Sequence, residues 1–195
     1  MKKLILAAAF TLLSAPAFAT FLTLSPSVTD AVNGDIVSLD LIVGDLSDGG
    51  APSIGAFDID IGFDDSALDF AGVTYGSMLG DMLTESITDT ASSNGLVGLL
   101  EVSFLSIADL DALQGESFVL ATLDFLVEDL AVGASTLVSF GDTLLADAFG
   151  LALGVDMMMN AVIQNPNPQT VPEPPVLALC AMGVVLMRLA RKRCA

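Results

Sequence analysis

The run Phe57-Asp58-Ile59-Asp60-Ile61-Gly62-Phe63 has a large apolar side chain at every odd position and an aspartate or glycine at every even one. In an extended chain successive side chains point to opposite faces, so Phe57, Ile59, Ile61 and Phe63 line a buried face while Asp58 and Asp60 meet water. A sheet with one wet and one dry face is antiparallel or mixed more often than parallel, and its dry face needs a covering layer. That second layer has to come from the rest of the chain.

At 195 residues the chain allows one domain of ordinary size with short appendages. All six Lys and Arg residues lie at the ends: Lys2, Lys3, Arg188, Arg191, Lys192 and Arg193. There is no His, and all but one of the 24 Asp and Glu residues fall between Thr20 and Val171, Glu173 being the exception. Such a body repels phosphates, which excludes nucleic acid as a partner and disfavours anionic lipid. It also has no internal Lys or Arg for salt bridges. Cations from solution or from a basic partner must offset the self-repulsion, so stability is expected to depend on salt or divalent metal. The same acidity keeps an apolar-rich secreted chain soluble. The two cysteines, Cys180 and Cys194, are both in the C-terminal appendage, so the body is not stapled by disulfides. Without Cys or His it offers a metal only carboxylate and carbonyl oxygens.

The ends read as addresses. Residues 1–19 have a basic start (Lys2, Lys3), an apolar run from Leu4 to Leu13, and small residues Ala17 and Ala19 before a cut. This is a secretory signal peptide, with cleavage by signal peptidase predicted after Ala19. Residues 164–175 form a polar, proline-broken linker, Gln164-Asn165-Pro166-Asn167-Pro168-Gln169-Thr170, leading into Val171-Pro172-Glu173-Pro174-Pro175. Residues 176–195 carry an apolar run from Val176 to Met187 and a basic tail. The run makes roughly 18 Å of helix against a hydrocarbon core of roughly 30 Å. Continuing through Leu189 and Ala190 with Arg188 snorkelling brings this transmembrane helix nearer to spanning length, and Arg188, Arg191, Lys192 and Arg193 favour retention on the cytoplasmic side.

Val171-Pro172-Glu173-Pro174, a short hydrophobic helix and an Arg-rich terminus together resemble the PEP-CTERM sorting signal of Gram-negative bacteria. The resemblance implies recognition in the inner membrane by an exosortase-type sorting enzyme, cutting near the motif, and delivery to the cell surface or extracellular polymer matrix. Pro175 and the interruption at Arg188 depart from the commoner pattern and bear on how efficiently the helix is removed. An ordinary single-span tail is the alternative.

In the body, residues 20–163, Thr20 to Pro26 is expected as a first, edge strand. Val32-Asn33-Gly34-Asp35 is a turn signal. Ile36 to Val43 is a second alternating strand with Val37, Leu39, Leu41 and Val43 on one face and Ser38 and Asp40 on the other. Gly44 to Ser53 is a surface loop. Ser66 to Tyr75 gives a short segment and a strand, and Gly76 to Gly95 an irregular stretch with a candidate short helix at Ser77 to Leu83. Leu100-Glu101-Val102-Ser103-Phe104 is another alternating run, and Asp109 to Gly115 a turn of helix closed by glycine. Phe118 to Val127 is the longest strand, with Val119, Ala121, Leu123, Phe125 and Val127 on one face. Thr136 to Phe140 is a strand, Gly141 to Gly150 an acidic loop, and Val155 to Ile163 a closing strand whose methionines could equally start a helix. Eight or nine short strands with turns between them describe an all-β, two-sheet β-sandwich.

Val32 to Leu41, then Gly55 to Asp64, then Leu68 to Val73, together with Gly115 to Phe125, resemble a cohesin-type domain. The resemblance covers the body and implies a nine-stranded jelly-roll sandwich, related in fold to carbohydrate-binding modules, whose cellulosomal members hold calcium-binding dockerin modules. No dockerin repeat occurs in this chain, so any such partner is separate.

Ser38, Asp40, Asp58 and Asp60, which face out from the two clearest strands, are the candidate partner face, an exposed acidic patch for a basic protein. Asp58 and Asp60 with Asp64 and Asp65, or Asp45 with Asp48, are weak candidates for calcium, because their spacing does not match a helix-loop-helix calcium loop. No other cofactor is indicated. Serine nucleophile chemistry lacks its histidine, and scattered carboxylates alone do not define a glycosidase pair, so the chain is not expected to be an enzyme. There is no Trp and a single Tyr, Tyr75, to stack on sugar rings. The expected function is therefore a surface or matrix interaction domain, with binding of extracellular polysaccharide as the alternative.

Overall fold

The computed structural model describes residues 20–46 and 53–167. Eleven strands and one helix follow in order: β1 (Thr20–Pro26), β2 (Ile36–Gly44), β3 (Ile54–Gly62), β4 (Leu68–Tyr75), β5 (Ser86–Ser93), β6 (Leu96–Ser103), α1 (Ile107–Leu113), β7 (Ser117–Val127), β8 (Ser135–Asp147), β9 (Ala152–Leu153), β10 (Val155–Met159) and β11 (Ala161–Gln164). One sheet runs β10-β1-β2-β7-β4 and the other β11-β8-β3-β6-β5, with β9 paired on β8. The two stack as a sandwich. Among the described residues no helix is long and apolar enough to cross a membrane.

The core follows the alternation of the clearest strands. Val37, Leu39, Leu41 and Val43 of β2 are fully buried, and so are Ile59 and Ile61 of β3, with Phe57 2 % exposed. Phe63 lies just past β3 and is half-buried, its ring meeting that of Phe125 edge-on at 5.0 Å. From the facing sheet Leu22, Leu123, Phe125 and Val127 complete the layer. Each such side chain contributes roughly 1.5–3 kcal/mol by leaving water. With no ion pairs available to the body, this packing carries the fold.

Several expectations are corrected. β1 is not an edge: β10 pairs with it in parallel, Phe21 opposite Met157. Ser77 to Leu83 forms turns rather than a helix, and the following Ser86–Ser93 is a strand. It closes a two-residue hairpin with β6 through Asn94 (φ 49°) and Gly95 (φ 75°), the positive-φ pair that suits the twist of the flanking strands. The α1 helix is capped at its start by Ser106, whose side chain accepts from the Asp109 amide, and ends at Gln114 rather than at a glycine. The Gln114 side chain bridges the Ile54 amide and carbonyl at 2.7 Å each, which explains why a polar residue stops the helix there.

β7 carries an irregularity opposite Leu41 and Ile42, so Phe118 and Leu120 point inward, then Ala121, Leu123, Phe125 and Val127, and Val119 is left half-exposed. β8 runs straight through the supposed acidic loop to Asp147, with a register shift around Gly141 and Asp142. Asn160 divides the closing segment: β10 joins one sheet and β11 the other, and Asn160 Oδ1 accepts from the Phe140 amide at 3.1 Å. The folded unit extends past Ile163, because Gln164 belongs to β11 and the buried Asn165 donates to the Leu130 carbonyl at 2.7 Å.

The parity of β6 is inverted. Alternation alone would send Leu100, Val102 and Phe104 inward with Glu101 outward. Instead Val97, Leu99 and Glu101 are buried, and Phe104 is 65 % exposed. A one-residue change of parity moves every side chain of a strand to the other face.

Candidate interaction face

That inversion builds an apolar surface on the outside of the β8-β3-β6-β5 sheet. Cross-strand pairing places Ala146, Ala56, Val102 and Ile87 in one row across the four strands. The next row reads Leu144, Asp58, Leu100 and Asp89. Leu144 is 55 % exposed and Ile87 54 %. A shallow depression of about 140 Å³ opens where Leu144, Leu100 and Val102 surround the small side chains of Ala56 and Ala146. With neighbouring strands roughly 4.8 Å apart, Asp58 and Asp89 stand roughly 10 Å from each other on either side of Leu100. Below them, Asp60 pairs with Gly98, where a side chain would approach Asp60 Oδ1 to 3.1 Å. Gly141 on the other side leaves room for the Asp60 side chain in the same way.

The four residues expected to form one acidic patch are separated. Asp58 and Asp60 belong to this face, whereas Ser38 and Asp40 are on β2, in the opposite sheet. There they are engaged with β7: Ser38 Oγ donates to Asp124 Oδ1 at 2.6 Å, and Thr122 Oγ1 donates to Asp40 Oδ1 at 2.6 Å. A core layer about 10 Å thick divides the two sets. Alternation tells which residues face out, but not which sheet a strand joins. Leu100, Val102, Leu144 and Asp89 were not singled out in the sequence, because an apolar residue in an alternating strand reads as core.

The candidate calcium carboxylates are likewise dispersed. Asp64 accepts from the Ser66 amide at 3.0 Å and the Ser66 hydroxyl at 2.6 Å, which holds its carboxyl below the usual range. Asp45 follows the end of β2 with φ at 67°, and Asp48 lies outside the described residues. Among the described residues no group of three or more His, Cys, Asp or Glu side chains is placed to hold a metal ion. A polar cleft of about 420 Å³ lies where the chain leaves the body, but its amides are used: Gln164 Nε2 donates to Asp30 Oδ1 at 2.5 Å and Asn165 is tied to Leu130. Ala17 and Ala19, Val171, Pro172, Glu173 and Pro174, and Arg188, Arg191, Lys192 and Arg193 all lie outside the described residues.

The fold is a two-sheet sandwich with an apolar outer face flanked by carboxylates. The profile of the cohesin domain matches residues 22–153, and the chain belongs to that family, whose members are non-catalytic protein–protein interaction modules. Among solved structures it is similar to the OlpA cohesin of Clostridium thermocellum, solved in complex with a dockerin (11 % identity, TM-score 0.61, covering 75 % of this chain and 99 % of that one). It is also similar to a type II cohesin from the cellulosome of Acetivibrio cellulolyticus (16 %, TM-score 0.58, 74 % and 95 %). A third is a non-cellulosomal cohesin from the archaeon Archaeoglobus fulgidus (13 %, TM-score 0.56, 78 % and 94 %). No protein of curated function matches the sequence.

Proposed function

We propose that the outer face of the β8-β3-β6-β5 sheet docks a separate protein module of the dockerin kind, and that the domain is presented for this outside the cell. The observation that carries the reading is the pair of rows on that face. The first supplies apolar area that a partner can remove from water, and the second sets two carboxylates around Leu100 to orient cationic groups. A body without Lys, Arg or His suits a partner that brings the positive charge itself.

Export is supported by the signal-peptide pattern, whose cut after Ala19 would free Thr20, the residue at which β1 begins. Sorting through an exosortase-type enzyme, with a transient hold by the C-terminal hydrophobic helix and delivery to the surface or matrix of a Gram-negative bacterium, is supported by the order of Val171-Pro172-Glu173-Pro174, apolar run and basic tail. Polysaccharide binding has weaker support. Tyr75, the one Tyr of the chain, stacks on Phe57 and has its hydroxyl engaged, so it is not free to lie on a sugar ring.

Photo-crosslinking in the producing cells tests the reading. A crosslinker at Leu100 or Leu144 is expected to capture a protein, and one at Thr122 on the opposite sheet is not. Capture of polysaccharide alone, or of protein from Thr122 alone, overturns it.

A further inference from the structure

Glu101 sits in the middle of β6 between Phe57 of β3 and Thr88 of β5, facing the core. It is 0 % exposed, and neither carboxylate oxygen has a hydrogen-bond partner. An ionised carboxylate stripped of water and left unpartnered costs so much that the group neutralises instead. No titratable group on the surrounding elements brings a positive charge to pair with it. Tyr75 comes from β4, Asp58 and Asp60 of β3 and Asp89 of β5 lie on the outer face, and Asp81 and Glu85 precede β5. Asp147, buried at the end of β8, is held by the Phe149 and Leu151 amides. All are anionic when charged, and no Lys, Arg or His occurs anywhere from Thr20 to Val171 to compensate. The Ser86 hydroxyl, the one neighbour that opposes the effect, is turned towards the Asp81 carbonyl at 3.4 Å.

We propose that Glu101 is carried in the fold as a neutral acid and works as a proton-operated latch on the β5–β6 hairpin. With its proton the side chain packs in the core between the sheets. Without it, an unpaired charge is driven towards water and the hairpin that holds it loosens. Burial pushes the Glu101 carboxyl above the usual carboxylate range. The folded state therefore binds this proton more tightly than the unfolded chain does. The stabilisation is fully present below the ordinary glutamate value and is lost as pH rises through the raised folded value. The latch is independent of which partner the outer face takes.

The test compares urea midpoints of the full chain, kept in mild detergent, with those of Glu101→Gln between about pH 5 and about pH 8. The variant keeps the shape and removes the charge, so the effect of overall acidity cancels in the comparison. The midpoints are expected to converge at the acid end, with the variant increasingly more resistant as pH rises. A gap that does not change with pH, or a variant weaker throughout, overturns the latch. Should Glu101→Gln not fold, the carboxyl carbon resonance of Glu101 in the wild-type chain decides. A protonated signal persisting above the titration range of glutamates in the urea-unfolded chain supports the latch, and coincident titration refutes it.

Discussion

The Tyr75 hydroxyl donates to the Asp89 carbonyl at 2.5 Å and lies 2.8 Å from Thr90 Oγ1, fastening the outermost strand of one sheet to that of the other. Its ring stacks on Phe57 at 6.2 Å. Tyr75→Phe keeps the ring and removes the tie. The expected loss is about 1 kcal/mol, read as a lower urea midpoint with an unchanged slope. A midpoint equal to wild type would show that the sheets are held at this margin by packing alone.

The two faces of β3 should respond unequally. Ile59→Ala empties part of the core and is expected to cost about 2–5 kcal/mol, whereas Asp58→Asn on the outer face should stay within about 0.5 kcal/mol. Equal losses in thermal unfolding would contradict the assignment of faces.

What the sequence disclosed follows from what each strand buries. β2 and β3 are covered on one side only, so alternation at Val37, Leu39 and Leu41 and at Phe57, Ile59 and Ile61 is visible without tertiary information. β5 borders the sheet and buries little besides Ser86, leaving a run of Ser, Thr and Asp that reads as loop. The shifts in β7 and β8 break periodicity inside single strands, and β10 and β11 belong to different sheets although only Asn160 separates them. The proposed docking face was half legible. Asp58 and Asp60 mark it, but its apolar part depends on the parity of β6, which a lone glutamate among apolar residues sets against expectation.

Asp81 anchors the turn before β5, accepting from the Thr84 amide at 2.8 Å, the Thr84 hydroxyl at 3.0 Å and the Glu85 amide at 3.1 Å. These bonds, those from Thr84 foremost, hold its carboxyl below the usual range. The sign is opposite to that of Glu101: the contribution is present above the ordinary aspartate value and is lost as pH falls through the lowered folded one. The Asp81 carboxyl resonance should titrate at lower pH in the folded protein than in the urea-unfolded chain. A midpoint at or above the unfolded one contradicts the turn.

The net charge of −18, with every cation at the ends, makes stability sensitive to screening. Raising salt from about 0.01 M to about 1 M shortens the screening length from about 30 Å to about 3 Å, and the melting temperature should rise. Calcium added at constant ionic strength separates a bound ion from screening. A melting temperature that salt leaves unchanged would mean the carboxylates are too dispersed to matter.

On the proposed docking face, Leu100→Lys should weaken partner binding by about 2 kcal/mol, about thirtyfold, with a small effect on stability. Asp40→Asn on the other sheet should leave binding unchanged. The reverse ranking in a titration would move the interface to the β2 side.

Carbodiimide footprinting of the carboxylates, on the displayed protein and on the purified one, tests the docking face most directly. Asp58 and Asp89 should react less when displayed, while Asp65 and the exposed Asp69 of β4 react equally in both. Uniform labelling of all four in both preparations, or protection confined to Asp69, would contradict a partner seated on the β8-β3-β6-β5 face.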